Sequence, residues 1–329
     1  MIGQDVLASW RGFNLREKFI PKPDGPNPPF VEAEFKWMAA HGFNFARLPL
    51  SYHVWSSRAD WRKLDESQLR DIDDAVAMGR ANGIHVNINF HRIPGYFVGD
   101  VDPEPLNLFK DDEALEAACY HWSHFAQRYA GEPADVLSFN LINEPAGIDT
   151  AQYVPVVAAL ADAIRRHSPN RPIFVDGVSW GNQPVAELAG RGLIHSCRGY
   201  RPTELTHYGA HWIKAAEARV PTWPMVMPNG HEMGGAELNE RFKPWADLQA
   251  MGEPVHCGEW GCYHRTPHSV FLHWATDLLT MLGRMRIGWA LWNLGGRFGV
   301  FDSEREDVTY QKQNGRLLDR QFLDLLLAH

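Results

Sequence analysis

Val136-Leu137-Ser138-Phe139-Asn140-Leu141-Ile142-Asn143-Glu144-Pro145 decides the fold. The run is short and mostly apolar, and turn residues close it at both ends, which predicts a strand buried on both faces. Such a strand belongs in a parallel sheet covered by helices. It ends in Asn143 and Glu144, followed by a proline that cannot donate to a ladder. A carboxyl held at the dry end of a strand gains a raised pKa and can serve as a general acid. A helix cap or a solvated loop glutamate is the plainer reading of this stretch alone.

A second stretch has the same form. Pro254-Val255-His256-Cys257-Gly258-Glu259-Trp260-Gly261 is a short strand ending in a glutamate between two glycines. Glycine permits close approach of backbone or ligand. Two strand-end glutamates form a candidate carboxylate pair, the requirement for glycosidic bond cleavage.

Strand-like and helix-like segments alternate eight times around these two. The strands are expected near 10–15, 43–48, 84–90, 136–144, 172–176, 193–198, 254–261 and 287–293. The last helix is expected over 316–327. Residues 204–252 are long for one connection and carry Pro221, Pro224 and Pro228, which predicts an elaborated region over the site. With no linker and no composition break, residues 1–329 read as a single α/β domain, one closed (β/α)8 TIM barrel with an elaborated loop after strand six. In such barrels the chemistry sits at the carboxyl ends of the strands. Polar and aromatic residues do gather there: Arg47, His91, Asn143, Glu144, Trp180, Arg198, Tyr200, Glu259 and Trp292.

The formal charge of −8 argues against nucleic acid and anionic membranes as partners. No apolar run reaches the ~18 residues of a membrane span. No leader precedes residue 10, so the chain is expected to be cytoplasmic, or secreted after removal of a leader. The expected state is a monomer. The four cysteines, Cys119, Cys197, Cys257 and Cys262, fit no zinc spacing; a Cys257–Cys262 bridge is the one pairing considered. The 16 histidines show no His-Glu-x-x-His, so no metal or other cofactor is expected. His121 and His124 read as helix-surface residues. Among the 13 tryptophans, Trp180, Trp212, Trp223 and Trp260 are candidate sugar platforms as well as packing residues. Asp176 reads as a structural carboxylate or a partner of the site, since a lone acid needs a placed partner to do chemistry.

Six motifs in order, Arg11-Gly12-Phe13-Asn14, Arg47-Leu48-Pro49, His91-Arg92-Ile93-Pro94-Gly95, Asn143-Glu144-Pro145, Gly258-Glu259-Trp260-Gly261 and Ala290-Leu291-Trp292-Asn293, resemble glycoside hydrolase family 5. The resemblance implies a retaining β-glycosidase with Glu144 as acid/base and Glu259 as nucleophile. Asn143 would bind the sugar 2-hydroxyl, Arg47 would keep Glu259 ionised, His91 would orient the sugar or the site, and Trp292 would floor the subsite of the sugar being cleaved. The family usually carries His-x-Tyr after strand six. Here Arg198-Gly199-Tyr200 stands there, with Pro202 and Thr206-His207 matching the downstream pattern; His207-Tyr208 is a rival alignment. The expected substrate is a β-linked oligo- or polysaccharide. An endo-β-1,4-glucanase is the leading expectation, a β-mannanase or β-glucosidase the alternative, and a non-catalytic carbohydrate-binding barrel a third. A retaining site requires the two carboxyls about 5–5.5 Å apart.

Overall fold

The computed structural model describes residues 2–99, 102–213, 219–227 and 230–329; Pro228 lies outside them. Eight parallel strands form its centre: β1 (Arg11–Asn14), β2 (Phe45–Ser51), β3 (His85–Ile93), β4 (Leu137–Asn140), β5 (Ile173–Asp176), β6 (Ile194–Gly199), β7 (Val255–Trp260) and β8 (Gly288–Leu291). Each pairs with the next in chain order, and β1 pairs with both β2 and β8, with Gly12 opposite Phe45 and Ala290. The sheet therefore closes and leaves no edge.

The helices follow from periodic segments, three of them with side-chain caps. The first, α1 (Gln4–Ser9), precedes β1. Outside the barrel lie α2 (Glu32–Ala40), α3 (Glu66–Ala81), α4 (Asp112–Arg128), α5 (Thr150–Arg165), α6 (Gly235–Ala250), α7 (His268–Arg284) and α8 (Arg320–Ala328). Asp65 caps α3 by accepting from the Ser67 N–H, and Asp149 with Gln152 makes a capping box on α5. Between β5 and β6 a turn of 3-10 helix, Ala186–Leu188, replaces a full helix.

The strands divide their side chains by parity. On β3, Val86, Ile88 and Phe90 join the outer core against the helices. His85, Asn87, Asn89 and His91 face the barrel axis instead. On β4, Leu137 and Phe139 go outward, while Ser138 and Asn140 meet Asn87 and Asn89 inside. Stretch 136–144 is shorter as a strand than its apolar run predicts, ending at Asn140, and its inner face is hydrophilic. The barrel interior is layered. Trp10, Phe45, His85, Phe174 and His256 stack at the bottom, asparagines and Ser138 follow, and arginines with carboxylates lie on top.

Two expectations are corrected. The last helix begins at Arg320, because Gln311–Gln313 and Arg316–Leu318 pair as a hairpin. Its turn is Asn314-Gly315, both with positive φ (51° and 80°). Asn-Gly is the strongest short hairpin signal, and it outweighs the apolar periodicity that follows. His121 is buried, not on the surface: it packs against Trp55, whose indole Nε1 donates to its Nδ1 at 3.2 Å.

Burial also sets a stability prediction. It pushes the pKa of His85, His121 and His256 down to about 3 and of His207 to about 4, while His91 lies well below its usual range. The unfolded chain protonates these imidazoles near pH 6.5 and the folded one does not, so stability falls as pH drops below about 6.5. Glu17 and Glu144, pushed up to about 8 chiefly by burial, act with the opposite sign. The histidines outnumber them, so stability is expected to fall by on the order of 3 kcal/mol per unit between about pH 6 and 5. Urea midpoints that stay constant from pH 7 to 5 would contradict this.

Candidate active site

Glu259 is aimed by an irregularity in β7. Cys257 pairs with Cys197 and Glu259 with Arg198, so two residues advance on β7 against one on β6. Such a bulge re-aims a side chain. Without it, alternation would send Glu259 outward with Cys257. Gly258 sits in the bulge, where a Cβ would fall 2.6 Å from the Ser196 hydroxyl and 3.0 Å from Arg198 Nη1. Glu259 is buried. Its Oε1 accepts from Arg47 Nη1 at 2.6 Å and lies 3.3 Å from Arg198 Nη2; its Oε2 accepts from the Tyr200 hydroxyl at 3.1 Å. It is Tyr200, not Tyr208, that reaches the carboxylate. Burial raises the Tyr200 pKa well above its ordinary value, so the phenol remains a donor.

Glu144 lies four residues beyond the end of β4, at φ 47°. A non-glycine residue in this region is strained, and surrounding contacts hold it there. Its backbone N–H donates to Asp176 Oδ2 at 2.9 Å, and its carbonyl accepts from the Tyr96 hydroxyl at 2.8 Å. Its Oε1 accepts from Arg198 Nε at 2.9 Å. Burial, and then the charge of Glu259, push its pKa up to about 8 against the pull of Arg198. Glu144 therefore carries its proton at neutral pH.

The two arginines tie the strand ends together. Arg47 donates to Asn14, Asn140, Asn143 and Glu259. Asn143 Oδ1 accepts from Arg47 Nη2 at 2.9 Å and Arg198 Nη2 at 3.1 Å, so its free valence toward a ligand is as a donor. Its Nδ2 lies 3.5 Å from His91 Nε2. Burial, then the neighbouring arginines, keep His91 neutral. Trp292 packs edge-on to Phe19 and beside His91, with Arg16 over its ring at 5.4 Å. His207 packs behind Tyr200 and Phe298.

The candidate platforms separate. Trp260 is wholly buried among Trp274, Trp289 and Phe322, so it is core and not a sugar surface. The Trp223 indole is half-buried and donates to Asp277 at 2.8 Å. Trp180 and Trp212 are 52% and 51% exposed at the rim. The backbone N–H of Trp180 donates to the carbonyl of Pro145, the residue after Glu144, at 3.3 Å. All four cysteines are free thiols, Cys257 and Cys262 included. Among the described residues, no group of three His, Cys, Asp or Glu could hold a metal ion, and no helix is long and apolar enough to cross a membrane. Tyr96, Phe19 and Arg16 are not signalled by the sequence: Tyr96 lies on the short strand Tyr96–Phe97, which folds back on the end of β3 as a hairpin, and Phe19 and Arg16 lie on the loop after β1.

A closed parallel barrel with two arginine-held glutamates at its carboxyl end has the make-up of a barrel glycosidase. The family model for Cellulase (glycosyl hydrolase family 5) matches residues 3–297. A solved glycoside hydrolase is 34% identical, with a TM-score of 0.93 over 97% of this chain and 98% of that one. Endoglucanase C of Acetivibrio thermocellus is 23% identical over 86% of this chain and 90% of its own. Thermotoga maritima Cel5A, solved with cellobiose and with mannotriose, shares the fold at 20% identity and a TM-score of 0.77, over 98% of each chain. The chain belongs to glycoside hydrolase family 5 and is a glycosidase.

Proposed function

We propose that the protein is a retaining endo-β-1,4-glucanase in which Glu259 is the nucleophile and Glu144 the acid/base. One observation carries the assignment of roles: Glu259 is held by Arg47 at 2.6 Å and the Tyr200 hydroxyl at 3.1 Å with Arg198 at 3.3 Å, whereas the Glu144 side chain accepts, among the described residues, from Arg198 alone at 2.9 Å and burial pushes its pKa up to about 8. Double displacement uses one carboxyl that can give a proton and a second that faces cations and can attack. Glu259, facing Arg47 and Arg198, attacks the anomeric carbon and forms a glycosyl ester. The leaving oxygen takes the Glu144 proton. Water then returns a proton to Glu144, its oxygen bonds to the anomeric carbon, and the ester bond to Glu259 breaks. Asn143 donates to the 2-hydroxyl, where a bond that tightens in the transition state lowers the barrier. Trp292 floors the sugar being cleaved, with His91 beside it, and Trp180 offers a face on the leaving-group side of Glu144. Arg47, Tyr200 and Arg198 hold the carboxylates, and His207 supports Tyr200.

The glucan assignment is supported by the names of the relatives, Endoglucanase C and the 25% identical Cellodextrinase A of Ruminococcus flavefaciens, which covers 70% of this chain and 68% of its own. A β-mannanase is the second reading, favoured by the mannotriose complex of Cel5A. Enzyme treated with a chelator should cut a soluble β-1,4-glucan and lichenan at its untreated rate. Cleavage of mannan with glucans left intact would remove the glucanase reading and keep only the family.

A further inference from the structure

β6 departs from the family's usual histidine by presenting Arg198, a permanent cation. The guanidinium is buried and its donors are committed. Nε reaches Glu144 at 2.9 Å, Nη1 reaches Ser196 Oγ at 3.0 Å and the Cys197 carbonyl at 3.1 Å, and Nη2 reaches Asn143 at 3.1 Å and the Asp176 carboxylate. The slot is cut to fit. A Cβ at Gly181 would fall 2.5 Å from Arg198 Cγ, and one at Gly258 would fall 3.0 Å from Nη1.

Asp176, at the end of β5, is the counterpart. It is fully buried; Oδ1 accepts from Asn140 Nδ2 at 3.0 Å, and Oδ2 accepts from both Arg198 and the Glu144 backbone N–H. One carboxylate thus fixes the Glu144 backbone and the cation that holds the Glu144 side chain. A buried arginine without a counter-charge is costly, and beside Glu144 it would favour loss of the proton that an acid needs. The charged and titratable groups around Glu144 are Arg47 from β2, His91 from β3, Tyr96 from the hairpin after it, Tyr153 from α5, Asp176 from β5, Arg198 and Tyr200 from β6, and Glu259 from β7.

We propose that Asp176 and Arg198 form one charge-neutral positioning pair, which holds both the strained backbone and the carboxyl of Glu144 and lets that carboxyl alternate between acid and base. The proposal rests on Glu144 being the acid/base. In the free enzyme burial, and then the Glu259 charge, keep the Glu144 proton on. In the glycosyl-enzyme that charge is gone, and the hydrogen bond from Arg198 then favours the carboxylate that accepts a proton from water.

The test is the basic limb of kcat/KM against pH in four purified variants, each checked for folding by circular dichroism. Glu144→Gln removes the limb; if it does not, the acid assignment itself fails. Asp176→Asn leaves the Arg198 cation unopposed, and the limb should move down by one pH unit or more. Arg198→Gln leaves the Asp176 anion unopposed, and the limb should move up by a similar amount. The double variant Asp176→Asn/Arg198→Gln should return the limb to within about half a unit of the parent, while kcat/KM stays at least tenfold low because Glu144 is no longer held. A limb that vanishes in Glu144→Gln but stays put in both single variants overturns the pair and leaves the acid assignment standing. If a single variant does not fold, Asp176→Glu and Arg198→Lys take their place. These keep both charges and alter only reach, so the rate should fall with the limb unmoved, and a shifted limb would overturn the charge balance.

Discussion

Glu259→Ala is expected to lose nearly all activity, because the atom that bonds to the anomeric carbon is gone. Loss of a covalent nucleophile costs on the order of 10⁵–10⁶ in rate, about 7–8 kcal/mol of barrier. The substitution also leaves Arg47 and part of Arg198 facing a vacated space, since Glu259 accepts from Arg47 at 2.6 Å and lies 3.3 Å from Arg198. A small anion fits that space and its charge. Added azide should attack the sugar from the vacated side, with Glu144 still supplying its proton to the leaving oxygen, and give a glycosyl azide of inverted configuration. Improving the leaving group should not restore the unaided rate. Near-parental hydrolysis without azide would exclude Glu259 as the nucleophile.

Glu144→Ala is expected to show the opposite dependence. General acid help is worth roughly 10²–10⁴, so substrates with poor leaving groups should slow by that factor or more. A nitrophenolate departs with little protonation, so the deficit on nitrophenyl cellobioside should shrink sharply. The intermediate should then accumulate, because no base activates water, and azide should release it with retained configuration. The parent's kcat/KM should fall above about pH 8, where Glu144 loses its proton, and this limb should disappear in the variant. Azide products with the stereochemistry of the two variants exchanged would mean the two roles are reversed.

Much of this arrangement is legible in the residues. The eight strands and the polar residues at their ends follow from alternation and from the barrel rule, and both glutamates stand at those ends. The hydrophilic interior is also visible in retrospect: His85-Val86-Asn87-Ile88-Asn89-Phe90-His91 alternates strictly, which predicts one polar and one apolar face. That inner polar column conflicts with a strand apolar on both faces. The Asn314-Gly315 hairpin carried an explicit turn signal that the apolar residues after it masked.

Other features lie beyond local sequence. The left-handed backbone of Glu144 is imposed by Asp176 and Tyr96, which come from β5 and from the hairpin after β3. The bulge that turns Glu259 inward depends on the register between β6 and β7. That same region explains Trp260: it follows the turned-in glutamate and so points outward, into the core beneath α7 and α8. The link between Arg198 and Asp176 joins residues 22 apart on two strands, and no spacing rule connects them.

Formation of the covalent bond by Glu259 is the central step. A 2-deoxy-2-fluoro-β-cellobioside with a good leaving group slows both steps and lets the glycosyl-enzyme accumulate. Peptide mapping of the inactivated protein by mass spectrometry should find one fluoroglycosyl label, on Glu259, with Glu144 unlabelled. A label on Glu144 or on any other residue, or release of an α-configured product with no label at all, would contradict it.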